Sequence, residues 1–286
     1  MKILVTGEMG QLARSLVERV RLHPGLQLTT AGRPALDLER AGSAAEVIKA
    51  AKPDVVINAA AYTAVDQAED EPERAFRINA EGAGEVAAAA AGVGASIVQI
   101  STDYVFDGKS NQPYDEAAST NPMSVYGRSK LAGEEAVRES NNRHAIVRTA
   151  WVYSPFGRNF VSSIMSAAVT RPDLSVVSDQ RGCPTSALDL ADGVLALVSW
   201  AQFGGEVFHL AGNGAASWFE FATEIMEQCA LLGKPNVPVR PIATDDWPTR
   251  AVRPRNSVLN VEKFERLVGF AMPDWRSSVA QVIRRM

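Results

Sequence analysis

The chain has 286 residues, 46% of them apolar and 22% charged, an ordinary composition for one large folded unit or two modest ones. Its formal net charge of -4 gives no electrostatic reason to expect nucleic acid or an anionic membrane as a partner. No stretch approaches the roughly 20 apolar residues of a membrane span, and the apolar run at the N-terminus is too short for a secretory leader, so a cytoplasmic protein is expected.

Taken in order, the first half alternates strand-like and helix-like segments. Residues 2–6 form a short apolar, β-branched run. Leu12, Leu16, Val17 and Val20 recur at helical spacing over 11–20. Further strands are predicted over 26–30, 54–60, 96–100 and 145–149. Helices are predicted over 43–51, with Ser43 as its N-cap, and over 73–91 and 125–138. Strands and helices alternating at this spacing imply βαβ units, right-handed crossovers and a doubly wound parallel sheet. The ligand crevice of such a sheet lies at the carboxyl ends of its strands.

From about residue 151 proline and glycine become frequent, and a smaller, loop-rich second region is expected. Its helices are predicted over 159–169, 187–200, 217–232 and 275–285, the third opened by a capping box of Ser217 and Glu220. The predicted organisation is a dinucleotide-binding domain over 1–150. Residues 151–286 would mainly bind substrate, with segments returning to the first domain.

Gly7, Gly10 and Ala13 follow the first strand and open the first helix with the spacing G-x-x-G-x-x-A. The first glycine allows a turn, the second lets backbone approach a pyrophosphate, and the small third residue lets helix and sheet pack closely. The helix N-terminus then offers free N–H groups to phosphate. The second strand ends without the acidic residue that would bind a ribose 2′-hydroxyl. Arg33 stands there instead, which favours NADPH over NADH. Asp37 is placed to meet the adenine side. Ala59, Ala60 and Ala61, after Asn58, leave room for the dinucleotide to lie against backbone.

Tyr126 and Lys130 stand at i and i+4 and share one helical face. A free phenol titrates near 10 and is a poor acid at neutrality. An adjacent ammonium would lower that value, so that Tyr126 could protonate a carbonyl oxygen as hydride reaches its carbon. Lys130 could also hold the nicotinamide ribose. At the end of the fourth strand Thr102, with Ser101 in reserve, is the hydroxyl expected near the phenol to polarise the carbonyl. Asp103 is followed by Tyr104. The Asp-Glu pair that could support dehydration beside the carbonyl is therefore absent. His23, His144 and His209 show no metal-ligand spacing and are expected to be structural. Cys183 and Cys229 are expected to be reduced thiols.

These features together resemble the extended short-chain dehydrogenase/reductase family and, within it, its reductases of dTDP-4-keto sugars. The resemblance spans nearly the whole chain. Its marks are Val5-Thr6-Gly7, Asn58 to Asp66, Ser101 to Gly108, Tyr126 to Glu134, Arg148 to Tyr153, Ser217-Trp218 and Arg253 to Ser257. It implies a Rossmann fold and reduction of dTDP-4-dehydro-β-L-rhamnose at C4, with Tyr126 as proton donor, Lys130 as its partner and Thr102 as the hydroxyl tuning it. It places Gly10, Gln11, Leu12, Asp37, Ala61, Tyr62 and Thr63 along the dinucleotide, and Thr102, Asp103, Tyr126 and Trp151 at the dTDP-sugar. It further implies a homodimer, in some members with Mg2+. The chain departs from the commoner loop at Glu8-Met9, and Glu8 is expected to face solvent or a cation. An epimerase or dehydratase that recycles its hydride, and a non-catalytic dinucleotide-binding subunit, are the alternatives. Intact Thr102, Tyr126 and Lys130 weigh against the second.

Overall fold

The computed structural model describes all 286 residues, Met1–Met286. The first half lays down β1 (Lys2–Thr6), α1 (Gln11–Arg19), β2 (Gln27–Ala31), α2 (Ser43–Ala51), β3 (Val55–Asn58), α3 (Val65–Ala68), α4 (Pro72–Phe76), α5 (Gly82–Gly92), β4 (Ser96–Thr102), α6 (Val125–Ser140) and β5 (His144–Thr149). The second half adds β6 (Val152–Tyr153), α7 (Phe160–Thr170), β7 (Leu174–Val177), β8 (Arg181–Gly182), β9 (Thr185–Ser186), α8 (Ala187–Trp200), β10 (Glu206–His209), β11 (Ala216–Ser217), α9 (Trp218–Leu231), β12 (Val239–Ile242), α10 (Glu262–Val268) and α11 (Trp275–Arg284).

The main sheet is parallel, in the order β10-β5-β4-β3-β1-β2. Alternate side chains of one strand serve opposite faces. Ile3 and Val5 pack under α1 and α8 with Leu16 and Val194, whereas Leu4 packs under α2 and α5 with Ile48 and Val86. This is the expected doubly wound sheet. The strand order reverses between β1 and β3, so the crevice opens at their carboxyl ends, where Gly7 and Ala59–Ala61 lie.

A third core sits outside the sheet, where Phe221, Ile225, Val279 and Ile283 of α9 and α11 pack on Val161 of α7 and Leu174 of β7. The sixth strand of the main sheet, β10, and the helix α8 that covers α1 both come from the second half of the sequence. The chain therefore returns to the first sheet after residue 151.

Two expectations are corrected. The segment 73–91 is not one helix. It is α4, then a π-turn over Arg77–Glu81, then α5. The wider turn places Asn79 so that its side chain bonds both backbone groups of Tyr62 (2.8 and 3.0 Å) and Ser129 Oγ (3.0 Å). Ser43 does not cap α2. Gly42 holds the N-cap, and the Ser43 hydroxyl donates instead to the Asp37 carbonyl at 2.5 Å.

Candidate active site

The register sets Thr6 beside Asn58 and Asn58 beside Gln99 at the strand ends. Their side chains join. Thr6 Oγ1 donates to Asn58 Oδ1 (2.5 Å), Asn58 Nδ2 donates to Gln99 Oε1 (2.7 Å), and the Ala60 N–H donates to Thr6 Oγ1 (3.1 Å). This buried chain fixes the relative heights of β1, β3 and β4. Gly7, at φ +86°, turns the backbone off β1, a conformation that favours glycine. A Cβ there would lie 3.4 Å from Ala60 Cα, so the two loops touch.

The N-terminus of α1 carries no side-chain cap, and no atom lies within 4 Å of where a Gly10 Cβ would stand. The first-turn N–H groups thus face open space with the positive end of the helix dipole, a cradle suited to a pyrophosphate. The Leu12 side chain is in the core, leaving its amide to this surface. Gln11 is turned aside, accepting from Ser154 Oγ at 2.8 Å. Glu8 is exposed and lies over Gly32, where a Cβ would come within 2.9 Å of Glu8 Cβ. Next to Gly32, Arg33 is exposed, and its side chain makes no hydrogen bond or ion pair. Asp37 Oδ1 accepts the Glu39 N–H at 3.0 Å. Ala61 is half-buried and Thr63 exposed on the same rim. Tyr62 is less available, because its amide donates to Asn79 and its phenol to Glu71 (3.1 Å).

Ser124 caps α6 by accepting the Gly127 N–H at 3.1 Å. Two glycines let this helix press inward. A Cβ at Gly127 would fall 2.2 Å from the Tyr104 carbonyl oxygen, and one at Gly133 2.0 Å from that of Asn79. Tyr126 therefore meets Tyr104 edge to face, with ring centroids 5.7 Å apart. Thr102 caps the short turn Asp103–Val105, accepting the Tyr104 N–H (3.2 Å) and donating to Asp103 Oδ1 (3.0 Å). Burial pushes the Tyr126 phenol well above its ordinary value, the Thr102 hydroxyl pulls it back, and the charges of Asp103 and Tyr104 push it up.

Lys130 is buried, its Nζ donates to the Ile100 carbonyl at 2.6 Å, and burial lowers its pKa to about 8 against the pull of Glu134. The expected lowering of the phenol by Lys130 is not seen. Lys130 is committed to the backbone of β4, and burial outweighs every lowering influence on the Tyr126 phenol. Ser101 is not a reserve hydroxyl either, since its Oγ donates to Glu134 Oε1 at 2.6 Å.

Trp151 sits at φ +45°, stacked on Trp218 with centroids 3.5 Å apart and planes at 5°. Gly182 makes room for it, because a Cβ there would come within 2.4 Å of the indole. Close by, a cleft of about 790 Å³ carries Lys109, Arg181, Arg253 and Arg255. Its two carboxylates are occupied, Asp107 by Tyr114 (2.8 Å) and Asp179 by Thr244 (2.7 Å), so the cleft favours an anion. Arg253 donates to Tyr104 Oη (2.9 Å) and to Asp66 (2.6 Å), linking this cleft to the ring that touches Tyr126. Arg253, Arg255, Trp218 and Asn79 received no role from the sequence. The signals available were the Ser217-Trp218 and Arg253 to Ser257 marks of the resemblance and the proximity of three cations, Arg250, Arg253 and Arg255, in one loop.

His144 and His209 are buried and bond backbone carbonyls (2.6 and 3.1 Å). Burial and the nearby Arg148 charge lower His209 to about 3. No three His, Cys, Asp or Glu side chains cluster to hold a metal, which leaves the Mg2+ of the resemblance without support in this chain. Both cysteines are buried and free. No helix is long and apolar enough to cross a membrane.

The family model described as RmlD substrate binding domain matches residues 1–286. The chain is 43% identical to the dTDP-4-dehydrorhamnose reductase of Sinorhizobium fredii, over 99% of this chain and 97% of that one. Among solved structures, a dTDP-4-dehydrorhamnose reductase from Clostridium acetobutylicum superposes with a TM-score of 0.93 at 40% identity, covering 99% of each chain. The Bacillus anthracis enzyme in complex with NADP does so with a TM-score of 0.92 at 37% identity, covering 100% of this chain and 99% of that one.

Proposed function

The chain belongs to the RmlD family of dTDP-4-dehydrorhamnose reductases, and on that premise we propose that it reduces the C4 carbonyl of dTDP-4-dehydro-β-L-rhamnose to give dTDP-β-L-rhamnose, using NADPH. The observation that carries this reading is the packing of Tyr126 on Tyr104, whose amide donates to Thr102, at the carboxyl end of β4, between an uncapped helix N-terminus and a cationic cleft. When bound, NADPH supplies the hydride.

The protein's own groups do the rest. The loop of Gly7, Gly10, Gln11 and Leu12 holds the pyrophosphate through backbone amides. Ala59, Ala60, Ala61 and Thr63 line the dinucleotide, with Tyr62 fixing their loop and Asp37 on the adenine side. Lys130 holds the ribose from beneath β4. Tyr126 gives its proton to the C4 oxygen, and Thr102 stabilises the phenolate that remains. Trp151 and Asp103 meet the sugar, while Lys109, Arg181 and Arg255 face its diphosphate. Residues from about 151 act mainly as the substrate region. Simple reduction is favoured over dehydration, since Tyr104 fills the place of a second carboxylate and its phenol is held by Arg253. A cytoplasmic homodimer belongs to the same reading.

Loss of NADPH absorbance on addition of dTDP-4-dehydro-β-L-rhamnose, with dTDP-β-L-rhamnose as product, is the expected result. No turnover by the intact protein would overturn it. Arg33 is assigned to the 2′-phosphate because it stands free beside the loop. Arg33→Ala is expected to raise KM for NADPH about tenfold, the weight of one charge-assisted hydrogen bond, and to leave KM for NADH unchanged. Equal effects on both cofactors would remove Arg33 from that role.

A further inference from the structure

α3 begins just after Thr63, at the end of the loop that lines the dinucleotide crevice. Carboxylates in and just after this short helix reach across to the other side of the site. Asp66 Oδ1 accepts the Ala251 N–H at 3.1 Å, and Asp66 Oδ2 accepts from Arg253 Nη2 at 2.6 Å. Glu69 Oε1 accepts the Val125 N–H, next to Tyr126, at 2.8 Å, and Asp70 pairs with Arg250. The continuation of the dinucleotide loop thus holds the loop over 250–253 and the start of α6.

Asp66 differs from its neighbours in what it grips. One carboxylate takes the amide of buried Ala251 and the guanidinium two residues further on. Arg253 Nη1 is held from a second side, donating to Tyr104 Oη at 2.9 Å. The side chain makes no other hydrogen bond, so two of its five N–H donors are used. The rest, the Nε–H among them, belong to a side chain that lines the cationic cleft. Lys109, Arg181 and Arg255 line it too, but they are exposed, and Arg181 meets a carboxylate only at 3.7 Å, in Glu220. Arg253, with 20% of its side chain exposed, is the cation of the cleft that is fixed before anything binds.

The ion pair adds little to folding stability, because the Asp66 side chain is 42% exposed. Fixing a long arginine in advance adds more to binding, since the ligand then need not order it. We propose that Asp66 is a positioning residue for the sugar nucleotide: it aims the unused donors of Arg253 at the diphosphate in the cleft. This rests on the reading of the cleft as the place of the substrate diphosphate. A guanidinium meets phosphate through parallel N–H groups, so its plane must be set as well as its position. Asp66 and Tyr104 set that plane by holding the two Nη atoms. Tyr104 stays packed on Tyr126 without the pair, because α6 is pressed against the Tyr104 carbonyl at Gly127. The chemical step should therefore be spared.

The test is binding of dTDP to the full chain by titration calorimetry at saturating NADP+, followed by steady-state turnover. Asp66→Asn keeps the size of the side chain and can accept from only one of its two partners. It is expected to raise the dTDP dissociation constant about three- to tenfold, the weight of re-ordering one long side chain, and KM for the sugar nucleotide by the same factor. kcat, the NADP+ dissociation constant and the melting temperature should stay nearly unchanged. On an Arg253→Met background, Asp66→Asn should add nothing, because the contact works through Arg253. An unchanged dTDP affinity, an equal loss of NADP+ affinity, or the same loss on both backgrounds overturns the proposal. A second arm needs no ligand. The Arg253 Nε–H signal in nitrogen NMR, identified by its loss in Arg253→Met, should be ordered in the intact protein and averaged by motion in Asp66→Asn. An unchanged signal overturns the proposal. An intact protein that binds no dTDP defeats the functional reading instead, and the NMR arm then still decides whether Asp66 orders Arg253.

Discussion

Tyr126→Phe is expected to lower kcat by about 10²–10⁴-fold, the range for a lost general acid, with dinucleotide affinity and thermal stability nearly unchanged. The substitution removes one oxygen and keeps the ring. The edge-to-face contact with Tyr104 survives, as does the packing of α6 that Gly127 and Gly133 permit. The cofactor loop lies on β1 and α1 and does not depend on the phenol. A fall in kcat without a rise in the NADPH dissociation constant, read by fluorescence titration and stopped-flow absorbance, is therefore the expected pattern. Retention of more than about one tenth of kcat would show that the proton reaches the C4 oxygen by another route. Thr102→Val should give a smaller loss, because it leaves the donor in place and removes only the group that steadies its anion.

How much of this was legible in the sequence follows from the range of the interactions involved. The Gly7–Ala13 loop and the Tyr126–Lys130 spacing are local patterns, and their strand and helix contexts are set within a few residues. The capping box at Ser217 and Glu220 was likewise readable and is present in both halves (2.6 and 3.1 Å). Spacing fixes a shared helix face and not a partner, which is why Lys130 turned out to serve Ile100. The π-turn over Arg77–Glu81 has a composition that also suits a regular helix, and it is stabilised from outside by Tyr62 and Ser129. β10 is four residues long in a glycine-rich stretch, and only its pairing with β5 makes it the edge of the sheet. The tie from Arg253 to Asp66 spans 187 residues, and no local pattern in either segment announces it.

Arg148→Ala is expected to cost about 3–5 kcal/mol of folding stability, the penalty for stripping the partner from a buried charge. Glu134 is 0% exposed on α6 and Arg148 is 3% exposed on β5. They meet through two hydrogen bonds, at 2.9 and 2.7 Å. Ser101 of β4 and the half-exposed Arg138 complete the cluster at 2.6 and 3.2 Å. Ser101 is neutral, but Arg138 keeps its ion pair to Glu134 from a half-exposed position, so the cost is expected at the lower end of that range. The denaturant midpoint should fall with little change in slope, which marks lost stability and not a changed end state. Glu134→Leu combined with Arg148→Met should recover most of that loss, because an apolar pair of similar volume removes both charges from the interior. The two variants should differ from each other in activity as well. Glu134 stands one turn beyond Lys130, and its charge is what holds the buried amine's pKa up against burial. Losing that charge in the double variant should depress kcat at neutral pH even where stability is restored. The cluster then acts on two levels, clamping α6 to β4 and β5 and keeping Lys130 charged beneath the site. A double variant with full stability and unchanged activity would separate those levels and leave the cluster a structural clamp alone.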